Sequence, residues 1–445
     1  MNITVMGPVI PPDGADATLR DNGFATWGNR MPHGALQLLE HWQLFLPVGV
    51  IGAVSWSVWL IRKLMSWRYK PLVNDYRTTT SVVVPSFHED PDIIERCLDT
   101  WLAQNPTEVV IVLDVEDTEA LRRLTARGDR RLHVMMFEHK GKRSALGVGI
   151  RAATSDVIVL TDSDTLWKPG LLDAVQMPFV DPRVGGVGTR QNVYERRSSI
   201  WRQVADWIID LRYLDYVPAT ARRGAVVCLS GRTAAYRRAA VMPVLEDLER
   251  EIFMGRQCVA GDDGRLTWLV LSQGYRTEHQ DSARALSMFP ATFKAFCKQR
   301  VRWSRNSYRC YLTAIYRGWL WRVPLISQLT VFQILFTPIT MFATVWYLVA
   351  AFFAPEGLLA IVLGVAWLLV GRAVRSFSHL RQQPADILIL PLVTLVIMFV
   401  ALPIKTWALF TMNKQGWLTR KAGMIGGEGQ DEASLATSGE SHDAA

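Results

Sequence analysis

Asp156-Val157-Ile158-Val159-Leu160-Thr161-Asp162-Ser163-Asp164-Thr165 is the stretch from which the fold reads. Four consecutive aliphatic residues between polar ones suit a strand buried on both faces. Similar runs stand at 81–85 (SVVVP), 108–113 (EVVIVL), 132–137 (LHVMMF) and 225–230 (AVVCLS). Between the first two lies a helical pattern: Asp90 suits the cap, Pro91 the first turn, and Ile94, Cys97, Leu98 and Trp101 share one face. Strand–helix–strand alternation predicts an α/β domain with a mostly parallel sheet and helices on both faces. Ligands of such sheets bind at the carboxyl ends of strands, so the chemistry is expected just past them.

Asp162 and Asp164 stand there. Two carboxylates two residues apart at a strand end suit a divalent cation facing a diphosphate, since Mg²⁺ takes carboxylate and phosphate oxygens together. A solvated turn is the competing reading of the same residues. Asp114, after the run at 108–113, suits a hydrogen bond from a base or ribose, or is a loop acid. His139-Lys140-Gly141-Lys142-Arg143 opens a helix and suits phosphate, or is an exposed basic turn. Gly147, Gly149 and Ala152 match a dinucleotide pattern only by spacing, because they precede a strand where that fingerprint follows one. Gly261-Asp262-Asp263 opens another helical stretch. A carboxylate there suits a general base for an acceptor hydroxyl, and helix capping is the alternative. Gln299-Arg300-Val301-Arg302-Trp303 lies in a basic, aromatic-rich helical region spanning 286–322. It suits sugar stacking and diphosphate pairing, or an interfacial helix whose Lys294, Lys298, Arg305 and Arg309 meet lipid headgroups.

The 445 residues carry 49 Lys and Arg against 41 Asp and Glu, a net charge of +8, and 49% hydrophobic residues concentrated in blocks. The basic residues cluster beside those blocks, which points to lipid and phosphate as partners and away from nucleic acid. Residues 44–61 carry no charge and are long enough for a membrane helix, with 1–43 preceding them outside the cytosol. Arg62, Lys63, Arg68 and Lys70 follow, so the positive-inside bias puts the next domain, 78–285, in the cytosol. Residues 323–411 hold three further apolar blocks, the last of which, 386–404, reads as re-entrant or interfacial because Lys405 and Lys414 follow it. The Gly-, Ser- and acid-rich 425–445 read as a disordered tail. The five cysteines lack any paired spacing and read as reduced cytosolic thiols.

Taken in order, several motifs resemble the processive family-2 membrane glycosyltransferases, namely hyaluronan synthases, chitin-oligosaccharide synthases and, more distantly, cellulose synthases. They are Val84-Pro85-Ser86-Phe87-His88-Glu89-Asp90-Pro91, Asp114, Gly141-Lys142-Arg143, Asp162-Ser163-Asp164, Ser230-Gly231-Arg232, Gly261-Asp262-Asp263 and Gln299–Trp303. In 412–424, Gly416-Trp417-Leu418-Thr419-Arg420 is similar to a gating motif. Phe87 and His88 replace the usual Tyr and Asn, Gly264 replaces an Arg, and one N-terminal span replaces two.

The resemblance implies a GT-A-type domain joined to transmembrane and interfacial helices in the plasma membrane. It implies a UDP-sugar donor, a growing polysaccharide acceptor, Mg²⁺ or Mn²⁺, inversion at the anomeric carbon and β-linked product. By the same resemblance Asp263 is the base with Asp262 its rival, and Asp164 with Asp162 holds the metal. Phe87, Glu89, Asp114, Lys142, Arg143, Asp162 and Arg302 bind the nucleotide-sugar. Ser230, Gly231, Gln299 and Trp303 meet the acceptor, and Trp417, Thr419 and Arg420 form the gate. The alternatives are a non-processive transferase acting on a lipid acceptor and a non-catalytic membrane protein. The former does not require Gln299–Trp303, and the latter does not require two acidic pairs.

Overall fold

The computed structural model describes residues 49–138, 140–353 and 357–414. Helix α1 (Gly49–Trp67) leads into the sheet domain. Strands β1 (Thr80–Pro85), β2 (Glu108–Asp114), β3 (Leu132–Phe137) and β4 (Val157–Thr161) are joined by α2 (Pro91–Leu102), α3 (Thr118–Ala126) and α4 (Lys142–Ala152). These four strands pair in parallel in the order β3-β2-β1-β4, as the apolar runs require. Asp90 caps α2, accepting from the Asp92 amide at 2.9 Å, and Ile94, Cys97, Leu98 and Trp101 are buried on its inner face. Alternate residues serve two cores: Val82, Val84, Val109, Ile111 and Val159 on one face, and Val83, Val110, Val112, Ile158 and Leu160 on the other.

The other half of the sheet departs from the parallel expectation. β5 (Thr165–Trp167), α5 (Leu171–Gln176), β6 (Val184–Val193), α6 (Ile200–Leu211), β7 (Thr233–Arg237), α7 (Asp262–Ser272) and β8 (Arg276–Ser287) follow in the chain. β7 inserts antiparallel between β4 and β6, and β5 closes the edge antiparallel to β8. The eight strands run β3-β2-β1-β4-β7-β6-β8-β5. The apolar run 225–230 is not a strand. Only Ala225 bridges to Thr277, and Leu229 donates its amide to Thr267 Oγ1 at 3.0 Å. That run instead enters the cleft as a loop, and the strand begins after it.

Helix α8 (Phe293–Tyr316) follows, so the region beginning at 286 starts as the end of β8 rather than as helix. Then come α9 (Leu325–Phe352), α10 (Gly357–Arg375), α11 (Phe377–Gln382) and a helical run, α12, from Pro384 to Phe410. Two of these segments, Leu325–Ala350 and Pro384–Phe410, are long and apolar enough to cross a membrane. α12 passes through 3₁₀ and π turns but stays helical throughout, without the chain reversal a re-entrant segment needs. The described part of the 44–61 block is helical, and α1 runs on through Arg62 and Lys63. Residues 1–43, the gating residues Trp417, Thr419 and Arg420, and the tail 425–445 lie outside the described residues.

The C-terminal helices are fastened to the sheet domain by a buried polar network. His379 on α11 meets Asp210 of α6 through Nδ1 at 2.9 Å and Asp386 through Nε2 at 2.8 Å. Arg196 pairs with Asp206 at 2.7 Å and also with Asp386. Trp207 Nε1 donates to Ser376 Oγ at 2.9 Å. Lys63 of α1 reaches Asp215 at 2.8 Å. Arg196 and Lys63 meet acids here and the His379 ring hydrogen-bonds two carboxylates, the condition under which burying such groups is tolerable.

Candidate active site

The parallel strands deliver their ends to one cleft of about 270 Å³. Asp162 and Asp164 stand in the turn between β4 and β5, where the Asp162 amide donates to the Arg232 carbonyl at 3.4 Å. Lys142, the first residue of α4, donates from Nζ to Asp162 Oδ1 at 2.8 Å and lies 3.3 Å from Asp262 Oδ2. One ammonium group therefore joins the two acidic pairs. Burial disfavours its charge, but Asp162 and Asp262 outweigh that and hold it firmly protonated. Asp162 keeps about 30% of its side chain exposed to the cleft. Carboxylates that already seat one cation and still face solvent suit a divalent ion.

Gly261 opens α7 with φ +77°, and a Cβ there would lie 2.9 Å from Asn306. Glycine thus lets the chain turn sharply and present both acids at a helix N-terminus. The two are not equivalent. Asp262 is buried against Lys142, and burial lifts its carboxyl above the ordinary carboxylate range. Asp263 is less buried: its Oδ1 accepts from the Gly264 amide at 2.8 Å, and its Oδ2 lies 3.9 Å from Cys228 Sγ. Gly231 nests beside them, since a Cβ there would lie 3.2 Å from Asp262 Oδ2 and 3.5 Å from Lys142 Nζ. Gly264 is matched to Cys310, whose Sγ would lie 3.0 Å from an added Cβ. A larger residue in its place would require Cys310 to give way.

Beside Asp162, Arg232 lies over two rings, Phe289 at 4.0 Å and Trp303 at 4.8 Å. Arg300 stands over the same indole at 4.8 Å. Trp303 therefore lines the cleft but does not offer a bare ring, as the sugar-stacking expectation assumed; guanidinium groups already cover it.

Residues 77–306 match the glycosyltransferase like family 2. This chain belongs to that family. Family-2 relatives include an N-acetylglucosaminyltransferase of Rhizobium leguminosarum bv. viciae, 28% identical over 355 residues covering 77% of this chain and 81% of the relative. A hyaluronan synthase of Streptococcus pyogenes serotype M3 is 24% identical over 385 residues, covering 84% of this chain and 91% of its own length. A solved mannosyltransferase from Pyrobaculum calidifontis, in complex with GDP-Man and Mn²⁺, has the same fold, with TM-score 0.51 and 22% identity. That alignment covers 81% of this chain and 98% of the other. The protein is a glycosyltransferase of GT-A-like fold.

Within this family-2 cleft the structure brings together Phe87, Glu89, Lys142, Asp162, Asp164, Ser230, Gly231, Asp262, Asp263, Arg302 and Trp303. Glu89 accepts from Ser163 Oγ at 3.4 Å. Asp114 is buried at the end of β2; its Oδ1 accepts from the Glu116 amide at 3.0 Å and its Oδ2 has no hydrogen-bond partner. Asp114 is not among the residues that line the cleft.

Arg143 is a correction. It turns into the protein, pairs with Glu251 at 2.5 Å and donates to the Gly261 carbonyl at 3.1 Å. It thereby braces the turn that carries the acidic pair. Gln299 also lies off the cleft, with Oε1 buried and unpartnered. The lipid-facing expectation for α8 fails at two positions. Arg305 donates to Thr411 Oγ1 at 3.0 Å, and Arg309 donates to the Met412 carbonyl at 2.6 Å.

Arg212, Tyr213, Gln191 and Arg232 line the cleft without having been singled out. A π turn over Arg212–Tyr216 extends α6, and Arg212 donates to the Cys228 carbonyl at 2.7 Å. Only Arg232 carried a signal, as the last residue of Ser230-Gly231-Arg232. None of the five cysteines forms a disulfide.

Proposed function

We propose that this family-2 glycosyltransferase is a membrane-embedded, inverting polysaccharide synthase that transfers sugar from a UDP-sugar to a growing β-linked chain. The chain is extended processively and leaves through the membrane helices, with the catalytic domain in the cytosol. The observation that carries this reading is the joining of the two acidic pairs by Lys142 in a cleft bordered by α8, the helix that packs along α12. Relatives named hyaluronan synthase and N-acetylglucosaminyltransferase support polymerisation.

In the reaction, Asp263 takes the proton from the acceptor hydroxyl. The oxygen attacks the anomeric carbon from the face opposite the diphosphate. The bond to the diphosphate breaks, and UDP leaves with the electron pair. Asp263 suits the role because it is less buried than Asp262 and is not engaged by Lys142 within hydrogen-bond reach. Lys142 and Arg302 hold the diphosphate, and Phe87 and Asp114 the nucleoside. Asp164 and Asp162 would hold Mg²⁺ or Mn²⁺, whose charge offsets that on the leaving group. The GT-A relative solved with Mn²⁺ is consistent with this use.

The test is incubation of membranes holding the full chain with each labelled UDP-sugar, followed by sizing and linkage-specific digestion. Long β-linked products are expected. Single-sugar transfer to lipid would favour the non-processive alternative, and no transfer from any UDP-sugar would refute the proposal.

A further inference from the structure

Trp303 is the aromatic surface that stacking an acceptor sugar needs, and Arg232 covers it. The Arg232 guanidinium lies 4.0 Å over Phe289 and 4.8 Å over Trp303, and Arg232 and Trp303 both line the cleft. Arg300 stands 4.8 Å over the same indole but is outside the cleft lining, with Nε and Nη2 buried. Arg300 therefore backs the ring, and Arg232 is the side chain that a ligand in the cleft meets there.

Arg232 is held on the rings only weakly. Its side chain makes no hydrogen bond and no ion pair among the described residues. Cation–aromatic contact retains it, and the like charge of Arg300 over the same indole opposes that contact. Asp164 and Asp162 are the acids that act on it, both beyond salt-bridge distance. The backbone, by contrast, is fixed. The Arg232 carbonyl accepts from the Asp162 amide at 3.4 Å and from Thr161 Oγ1 at 2.7 Å, just before β7 begins at Thr233. The long side chain thus springs from the acidic turn, where the donor diphosphate sits under the reading above. Phosphate oxygens offer a guanidinium paired, charge-assisted hydrogen bonds, a stronger hold than the face of a ring.

We infer that Arg232 is a donor-operated cover on the acceptor platform: it lies over Trp303 until a bound diphosphate draws it off, and only then does the indole receive a sugar ring. The inference rests on the synthase reading and deepens it by coupling acceptor binding to donor binding. A covered Trp303 is then compatible with an acceptor role. A chain end that arrives before the donor finds no platform, so each transfer begins with a loaded cleft.

The test uses the full chain in nanodiscs and an end-labelled tetrasaccharide cut from its own product, with Mg²⁺ present throughout and UDP added or withheld. UDP is expected to tighten tetrasaccharide binding to the unmodified protein about 10-fold, and saturating tetrasaccharide to tighten UDP binding by the same factor. Arg232→Ala uncovers the ring, so the tetrasaccharide is expected to bind tightly with or without UDP. Arg232→Met keeps a long stem over the rings but offers phosphate nothing, so binding is expected to stay weak in both states. Tetrasaccharide binding that ignores UDP in the unmodified protein overturns the inference and needs no variant to fold. A UDP response of undiminished size in either variant also overturns it. The two claims fail apart. Transfer that proceeds while acceptor binding ignores UDP removes the cover and leaves the synthase, whereas no product from any UDP-sugar removes both.

Discussion

Replacing Asp263 by Asn tests the assignment of the base most directly. Asp263 Oδ1 accepts from the Gly264 amide at 2.8 Å, and the Asn side-chain oxygen accepts the same bond, so the start of α7 should survive. What is lost is a carboxylate able to take a proton. A positioned general base contributes about 10²–10⁴-fold, or roughly 3–5 kcal/mol of barrier. Turnover should fall by that factor while UDP-sugar affinity changes by less than about threefold, because Lys142 and Arg302 are untouched. Asp262→Asn behaves differently. It removes one of the two carboxylates that hold Lys142, at 3.3 Å, so donor affinity and thermal stability should both fall. The assay is equilibrium binding of labelled UDP-sugar, single-turnover transfer and melting of the detergent-solubilised protein for both variants. If Asp263→Asn keeps turnover within about tenfold while Asp262→Asn is inactive with normal donor binding, the roles must be exchanged.

Three further outcomes are expected. Chelating divalent ions should abolish transfer, and Mg²⁺ or Mn²⁺ should restore it; full activity in excess chelator would refute a metal at Asp162 and Asp164. His379→Leu strips the shared partner from two buried carboxylates, Asp210 and Asp386, and should cost about 3–5 kcal/mol, read as a lowered melting temperature. Adding Asp386→Leu should recover part of that loss, and an unchanged melting temperature in the single variant would contradict the network. Burial lifts Glu278 to about 7 despite Arg276 at 2.7 Å. Because its folded value lies above the unfolded one, the folded state binds the extra proton and stability falls as pH rises from the ordinary carboxylate range through about 7. Melting across pH 5–8, with Glu278→Gln flattening the slope, checks this, and equal slopes in the two proteins would exclude Glu278 as its source.

Much of the site was legible because its signals are local. The apolar run 157–160 followed by Asp162 and Asp164, and the glycine turn into Asp262 and Asp263, need only strand periodicity and helix-terminus chemistry to be read. The parallel half of the sheet followed for the same reason, as did the Asp90 cap and the buried face of α2. The mixed half of the sheet was not legible. β8 reads Arg276-Thr277-Glu278-His279-Gln280-Asp281-Ser282-Ala283-Arg284-Ala285-Leu286-Ser287, with no apolar run, yet Thr277, His279 and Gln280 are buried. Its polar side chains find partners only in the folded chain: Thr277 donates to the Val226 carbonyl at 2.9 Å, the His279 ring meets the Gly188 carbonyl at 3.2 Å, and Gln280 donates to the Leu72 carbonyl at 2.6 Å. The run 225–230 misled in the opposite sense, because its apolar residues fill a core beneath a loop and pair with no neighbouring strand.

What sequence alone determined was therefore the kind of chemistry: acids at strand ends, a basic helix start and apolar segments able to enter a membrane. Tertiary structure decided which charges serve that chemistry. Arg143 and Lys142 are neighbours in one basic turn, but they point in different directions from the helix start, one buried on Glu251 and one opening on the cleft. Arg232 and Arg300 are far apart in sequence and meet only over Trp303. The reason is range. Periodicity, capping and turn geometry act over a few residues, whereas the partner that makes a buried charge affordable comes from wherever the folded chain brings it.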